Sequence, residues 1–210
     1  GKSTVASILM GRNKGYRGTL TVGGIPLSEI SEQSLLKHFT YISHQSYLFK
    51  GTVRDNLLMA KPDADDGQLW KVLEQVRLAD FLRQENGLDT ELKETASNFS
   101  GGQCQRLALA RALLHDSSVY IFDEATSNID VESENDIMEQ IYQLSKNKTV
   151  ILISHRLANV VKADKIYVLR NGYLEESGTH KTLLMQEGYY SRLWNAQQEL
   201  ENYTRGGCNR

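Results

Sequence analysis

Two compact apolar runs with an amphipathic stretch between them constrain this chain most. Residues 119–122 (Val-Tyr-Ile-Phe) and 149–154 (Thr-Val-Ile-Leu-Ile-Ser) have the look of strands buried in a parallel sheet. Between them Ile137, Ile141 and Leu144 recur at i, i+4 and i+7, which predicts an amphipathic helix over 132–145. Further helices are expected over 3–10, 68–84, 103–115, 181–186 and 189–200, and further strands over 19–22 and 39–43. Residues 165–170 and 173–176 flank Asn171-Gly172, a strong hairpin signal. Buried strands alternating with helices predict an α/β fold with a largely parallel sheet.

With 210 residues the chain suits one domain, expected over 1–203, with a polar tail at 204–210 expected to fray. A net charge of −2 argues against a nucleic-acid partner held by a basic field. Cys104 and Cys208 are too few for a disulfide framework and lack metal-ligand spacing, so a reducing compartment is expected. No stretch approaches the ~20 apolar residues that span a bilayer, and no signal peptide is visible.

Three short segments carry chemistry. Gly1-Lys2-Ser3-Thr4, running into a helix, matches the end of a phosphate-binding loop, G-x-x-x-x-G-K-[ST]. In such a loop Lys2 reaches the β- and γ-phosphates of ATP and the Ser3 hydroxyl completes a Mg²⁺ shell. Four residues alone leave a surface turn open. The run at 119–122 ends in Asp123-Glu124, two carboxylates at the edge of a sheet where open α/β folds bind ligands. Asp123 suits a Mg²⁺ water shell and Glu124 suits polarisation of an attacking water. An acidic helix start is the alternative there. Phe99-Ser100-Gly101-Gly102-Gln103 is a second anion-binding nest at a helix start, where a single-site enzyme needs only one.

That third segment resembles the L-S-G-G-Q signature of ATP-binding cassette (ABC) proteins, with Phe99 in place of leucine. Other elements of the family follow in order. Gln45 matches the Q-loop glutamine, Ser127-Asn128-Ile129-Asp130 resembles the S-A-L-D loop, and His155 matches the switch histidine. His38, His44, His115 and His180 have no such context and read as ordinary polar positions. The resemblance implies a P-loop NTPase with an inserted helical subdomain, about 62–115, carrying the signature. It implies Glu124, His155 and Gln45 as catalytic residues, and Ser3, Gln45 and Asp123 around Mg²⁺. Gly1, Lys2, Ser3, Thr4, Ser100, Gly101, Gly102, Gln103 and Asp130 are implied to bind ATP. Family members bind ATP between two cassettes arranged head to tail, so the Ser100–Gln103 nest would serve the partner's nucleotide.

Residues 48–57 resemble the exporter-type segment L-F-x-G-T-I-x-E-N-I, and His155-Arg156-Leu157 is exporter-like too. Residues 92–96 depart from the exporter pattern V-G-E-R-G, retaining only Glu94. The resemblance implies a second cassette, identical or different, and a transmembrane domain on the same polypeptide, at the cytoplasmic face of a membrane. Gly1 stands where the last glycine of the phosphate loop falls, so the sequence is expected to open inside that loop and, taken alone, to be inactive. The alternatives are a soluble ABC ATPase acting on ribosomes, a kind that usually carries two cassettes, or on DNA, a kind whose long coiled coils between the nucleotide motifs are absent here, and a catalytically inactive regulatory cassette, which intact Glu124 and His155 disfavour.

Overall fold

The computed structural model describes residues 1–43, 47–127 and 129–206; Gln45 and Asn128 lie outside the described residues. The molecule divides into two compact units: Ala6–Ile153, and Gly1–Val5 grouped with the chain from Ser154 on.

Helix α1 (Lys2–Leu9) opens the chain, and a tight antiparallel hairpin follows, β1 (Thr21–Val22) and β2 (Ile25–Pro26). Its turn residues Gly23 and Gly24 both sit at positive φ, 59° and 84°, which two-residue hairpin turns require. The Ser31 hydroxyl accepts the Ser34 N–H and starts α2 (Glu32–His38), which runs directly into β3 (Phe39–Ser43). Next, β4 (Gly51–Thr52) pairs antiparallel with β5 (Glu91–Leu92). Between them lie α3 (Val53–Leu58), α4 (Asp66–Gln75) and α5 (Ala79–Gln84).

The spacing that predicts one helix over 68–84 yields two. Arg77 breaks the run with φ of 55°, a left-handed conformation disfavoured for any residue with a Cβ. The apolar positions still point one way: Leu69, Leu73 and Leu82 are fully buried. They join the core beneath α6 (Gly101–His115), which carries Leu107, Leu109 and Ala110.

Strand β6 (Val119–Asp123) lies between β3 and β7 (Thr149–Ile153), parallel to both, with helix α7 (Val131–Ser145) as the crossover. Its side chains explain its compact apolar sequence. Tyr120 and Phe122 enter the larger core with α6 and α7, whereas Ile121 enters a second core with Ala6, Met10, Leu27, Leu35, Phe39 and Ile153. A strand covered on both faces has no polar side to alternate with.

In the other unit β8 (Ile166–Arg170) and β9 (Tyr173–Gly178) form the expected hairpin, with Asn171 and Gly172 at φ of 50° and 86°. Helices α8 (His180–Met185) and α9 (Tyr189–Gly206) follow. Ile166, Val168, Leu183 and Tyr190 form the core of this unit. The Glu176 carboxylate caps α9 by accepting the N–H groups of Tyr189 and Tyr190. Among the described residues no helix is long and apolar enough to cross a membrane.

Candidate functional site

The sequence-predicted residues fall into two groups, one in each unit. In the larger unit, β6 delivers Asp123 and Glu124 at its C-terminal end, with Ser43 opposite Asp123 on β3 and Ile153 opposite it on β7. Asp123 is buried, and its Oδ2 accepts a 2.9 Å hydrogen bond from the Tyr41 hydroxyl. Burial pushes the Tyr41 phenol up, and the hydrogen bond to Asp123 pushes it further. The Arg12 guanidinium lies over the Tyr41 ring, 5.0 Å from its centroid.

Glu124 adopts φ of 53°. Its backbone is held on both sides: the N–H donates to the Ile153 carbonyl at 2.9 Å, and the carbonyl accepts from the Ser127 N–H at 3.0 Å and hydroxyl at 2.9 Å. These three bonds offset the left-handed conformation and set the direction in which the side chain leaves the sheet.

The Ser100–Gln103 turn starts α6 with a reciprocal capping box. The Gln103 N–H donates to Ser100 Oγ at 3.2 Å, and the Ser100 N–H donates to Gln103 Oε1 at 2.8 Å. Asp130 caps α7 by accepting the Ser133 N–H at 2.8 Å. That donation, together with the Ser133 hydroxyl, holds the Asp130 carboxyl below the usual carboxylate range.

The two helix starts touch at Gly102. A methyl group there would stand 2.5 Å from Ser133 Oγ and 2.9 Å from Ser133 Cβ. The glycine therefore has a structural reason within its own chain. Gly102→Ala is expected to destabilise the larger unit by about 1–3 kcal/mol through overpacking, read from thermal unfolding. Ser133→Gly in the same chain removes the opposing atoms, so the double variant is expected to lose less than the two single losses summed. Strict additivity would show that this approach does not set the requirement.

In the other unit Lys2, Ser3 and Thr4 form the first turn of α1, with the Val5 N–H donating to the Gly1 carbonyl at 3.2 Å. His155 is exposed, on the turn that follows β7. Gln197 on α9 pins that turn: its Nε2 donates to the His155 carbonyl at 2.7 Å, and its Oε1 accepts the Leu157 N–H at 2.9 Å. Neither Gln197 nor Tyr41 stands out in the sequence, and no local motif marks either.

A parallel strand ending in two carboxylates, a capped serine-glycine turn on a long helix and a lysine-serine first turn are the parts of a nucleotide-binding fold of the P-loop type. Residues 1–127 match the ABC transporter family, and the chain belongs to it, as an ATP-binding domain of the kind found in ABC exporters. It is 52% identical over 96% of its length to an uncharacterized ABC transporter ATP-binding protein of Haemophilus influenzae, covering 36% of that protein. It is 38% identical over 95% of its length to ATP-dependent lipid A-core flippase 1 of Colwellia psychrerythraea, covering 33% of it. The chain thus spans about a third of the length of these relatives. Its fold matches a bacterial Atm1-family ABC exporter solved with ATP bound, with a TM-score of 0.88 and 32% identity over 94% of this chain and 35% of that one.

Proposed function

We propose that this chain binds and hydrolyses Mg-ATP in a head-to-tail pair of cassettes, and that closing and reopening of the pair drives export through an attached transmembrane domain at the cytoplasmic face of a membrane. The observation that carries this is the Ser100–Gln103 turn, a second phosphate-type turn on the 15-residue helix α6. One chain carries both the acidic pair and this turn, so a second copy completes two sites without any other protein. The whole of 1–203 acts as the nucleotide-binding domain, with 62–115 as its helical part.

In this reading Lys2 holds the β- and γ-phosphates, and Thr4 and Asp130 line the nucleotide. Ser100, Gly101, Gly102 and Gln103 of the opposite copy close on the γ-phosphate. Glu124 orients a water and takes its proton as the water oxygen bonds to the γ-phosphorus and the bond to the ADP oxygen breaks. His155 and Gln45 hold the γ-phosphate and the water in line. Mg²⁺, bound through Ser3, Asp123 and Gln45, would neutralise phosphate charge. The oxygen donors suit that ion, and the described residues form no His, Cys, Asp and Glu cluster able to cage a metal by themselves.

Mixing the whole protein as two variants, Lys2→Ala and Ser100→Arg, tests the arrangement. A mixed pair retains one composite site with Lys2 and Ser100 both intact. ATP-stabilised association above that of either parent is expected, and its absence overturns the head-to-tail pairing of like copies.

A further inference from the structure

We propose that Arg106 and Asp136, with Arg77 as a third member, are positioning residues that hold the Ser100–Gln103 turn in register with the start of α7. The inference rests on the reading that this turn serves a nucleotide held by a partner copy. Arg106 lies on α6, one helical turn past Gly102. Its Nη2 is shared between Ser133 Oγ at 3.2 Å and Asp136 Oδ2 at 2.9 Å, and its Nη1 donates to the Arg77 carbonyl at 3.4 Å. The other oxygen of Asp136 accepts from the Arg77 guanidinium. One carboxylate on α7 therefore bridges two arginines, one from α6 and one from the turn between α4 and α5.

The bridge is built for rigidity. The Arg106 and Asp136 side chains are only 17% and 15% exposed, so water screens them less than it screens a surface pair. Arg77 reaches Asp136 from a left-handed backbone conformation, and the ion pair helps to hold that turn. Together with the contact of Gly102 and Ser133, the bridge ties α6 to α7 at two successive levels. Helix α7 begins at the Asp130 cap, six residues after Glu124. The turn offered to a partner's nucleotide is thereby fixed to the segment that follows the chain's own acidic pair. Removing one member of a shielded pair leaves an uncompensated charge, and the helix starts lose their register.

The test uses the mixed pair described above, with Glu124→Gln in both copies so that association is read without turnover. The surviving site takes its Ser100–Gln103 turn from the Lys2→Ala copy and its Lys2 from the Ser100→Arg copy. Asp136→Asn is placed in one copy or the other, and the ATP concentration for half-maximal association is measured. In the Lys2→Ala copy the substitution is expected to raise that concentration about tenfold. In the Ser100→Arg copy, whose turn is already blocked, it is expected to shift that concentration much less. Equal shifts from both placements would mean general destabilisation and overturn the proposal, as would no shift from either. Failure of the parent mixed pair to associate at all would instead sink the head-to-tail reading, and the positioning role with it.

Discussion

Glu124→Gln is expected to lower steady-state phosphate release by the whole protein about 10²–10⁴-fold while leaving ATP binding largely intact. The backbone at this position is clamped by the Ile153 carbonyl and by Ser127, so the longer-lived consequence of the change is chemical rather than structural. Glutamine has the same length and leaves the sheet in the same direction. Its amide cannot accept the proton that the carboxylate takes from water. ATP is then expected to trap the closed pair, which size-exclusion chromatography with and without ATP would show. Near-normal phosphate release by the variant would remove Glu124 from the role of general base.

Phe122→Ala is expected to cost about 3–5 kcal/mol of stability. Phe122 is fully buried in the larger core, immediately before Asp123, on the central strand of the three that pair in parallel. A loss of that size corresponds to a fall in melting temperature of roughly 6–20 °C for a chain of this length. Ile121→Val, one residue earlier and in the second core, removes a single methylene and is expected to cost about 0.5–1.5 kcal/mol. Differential scanning calorimetry on the two variants checks both figures. Equal small shifts would contradict the two-sided burial of β6, and a large loss at Phe122 would also displace the acidic pair that the strand delivers.

Much of this was legible because the signals are local. The compact apolar runs within 119–122 and 149–154 announce β6 and β7, Phe39–Ser43 reads as the short strand β3, and Asn171-Gly172 announces the β8–β9 hairpin. The acidic pair and the Ser100–Gln103 turn are each contiguous, so spacing alone exposes them. Helix α3 is too short for periodicity, although Thr52 and Asp55 form a capping box whose spacing can be read. The break between α4 and α5 could not be read at all. Arginine is an ordinary helix residue, and what helps hold it left-handed at 77 is an ion pair to Asp136, 59 residues away. Tyr41 and Gln197 are hidden for the same reason: their importance comes from partners 82 and 42 residues distant.

The capping box at Ser100 bears on how tightly ATP could ever be held. Two of the turn's donors are already engaged before any phosphate arrives, the Gln103 N–H by Ser100 Oγ and the Ser100 N–H by Gln103 Oε1. A phosphate oxygen that takes either N–H must displace a side-chain acceptor, so one hydrogen bond is swapped for another. Swaps of this kind change free energy little compared with filling a donor that had no partner. In the proposed head-to-tail pair these two donors would therefore supply replaceable contacts, which suits a seam that reopens after each hydrolysis.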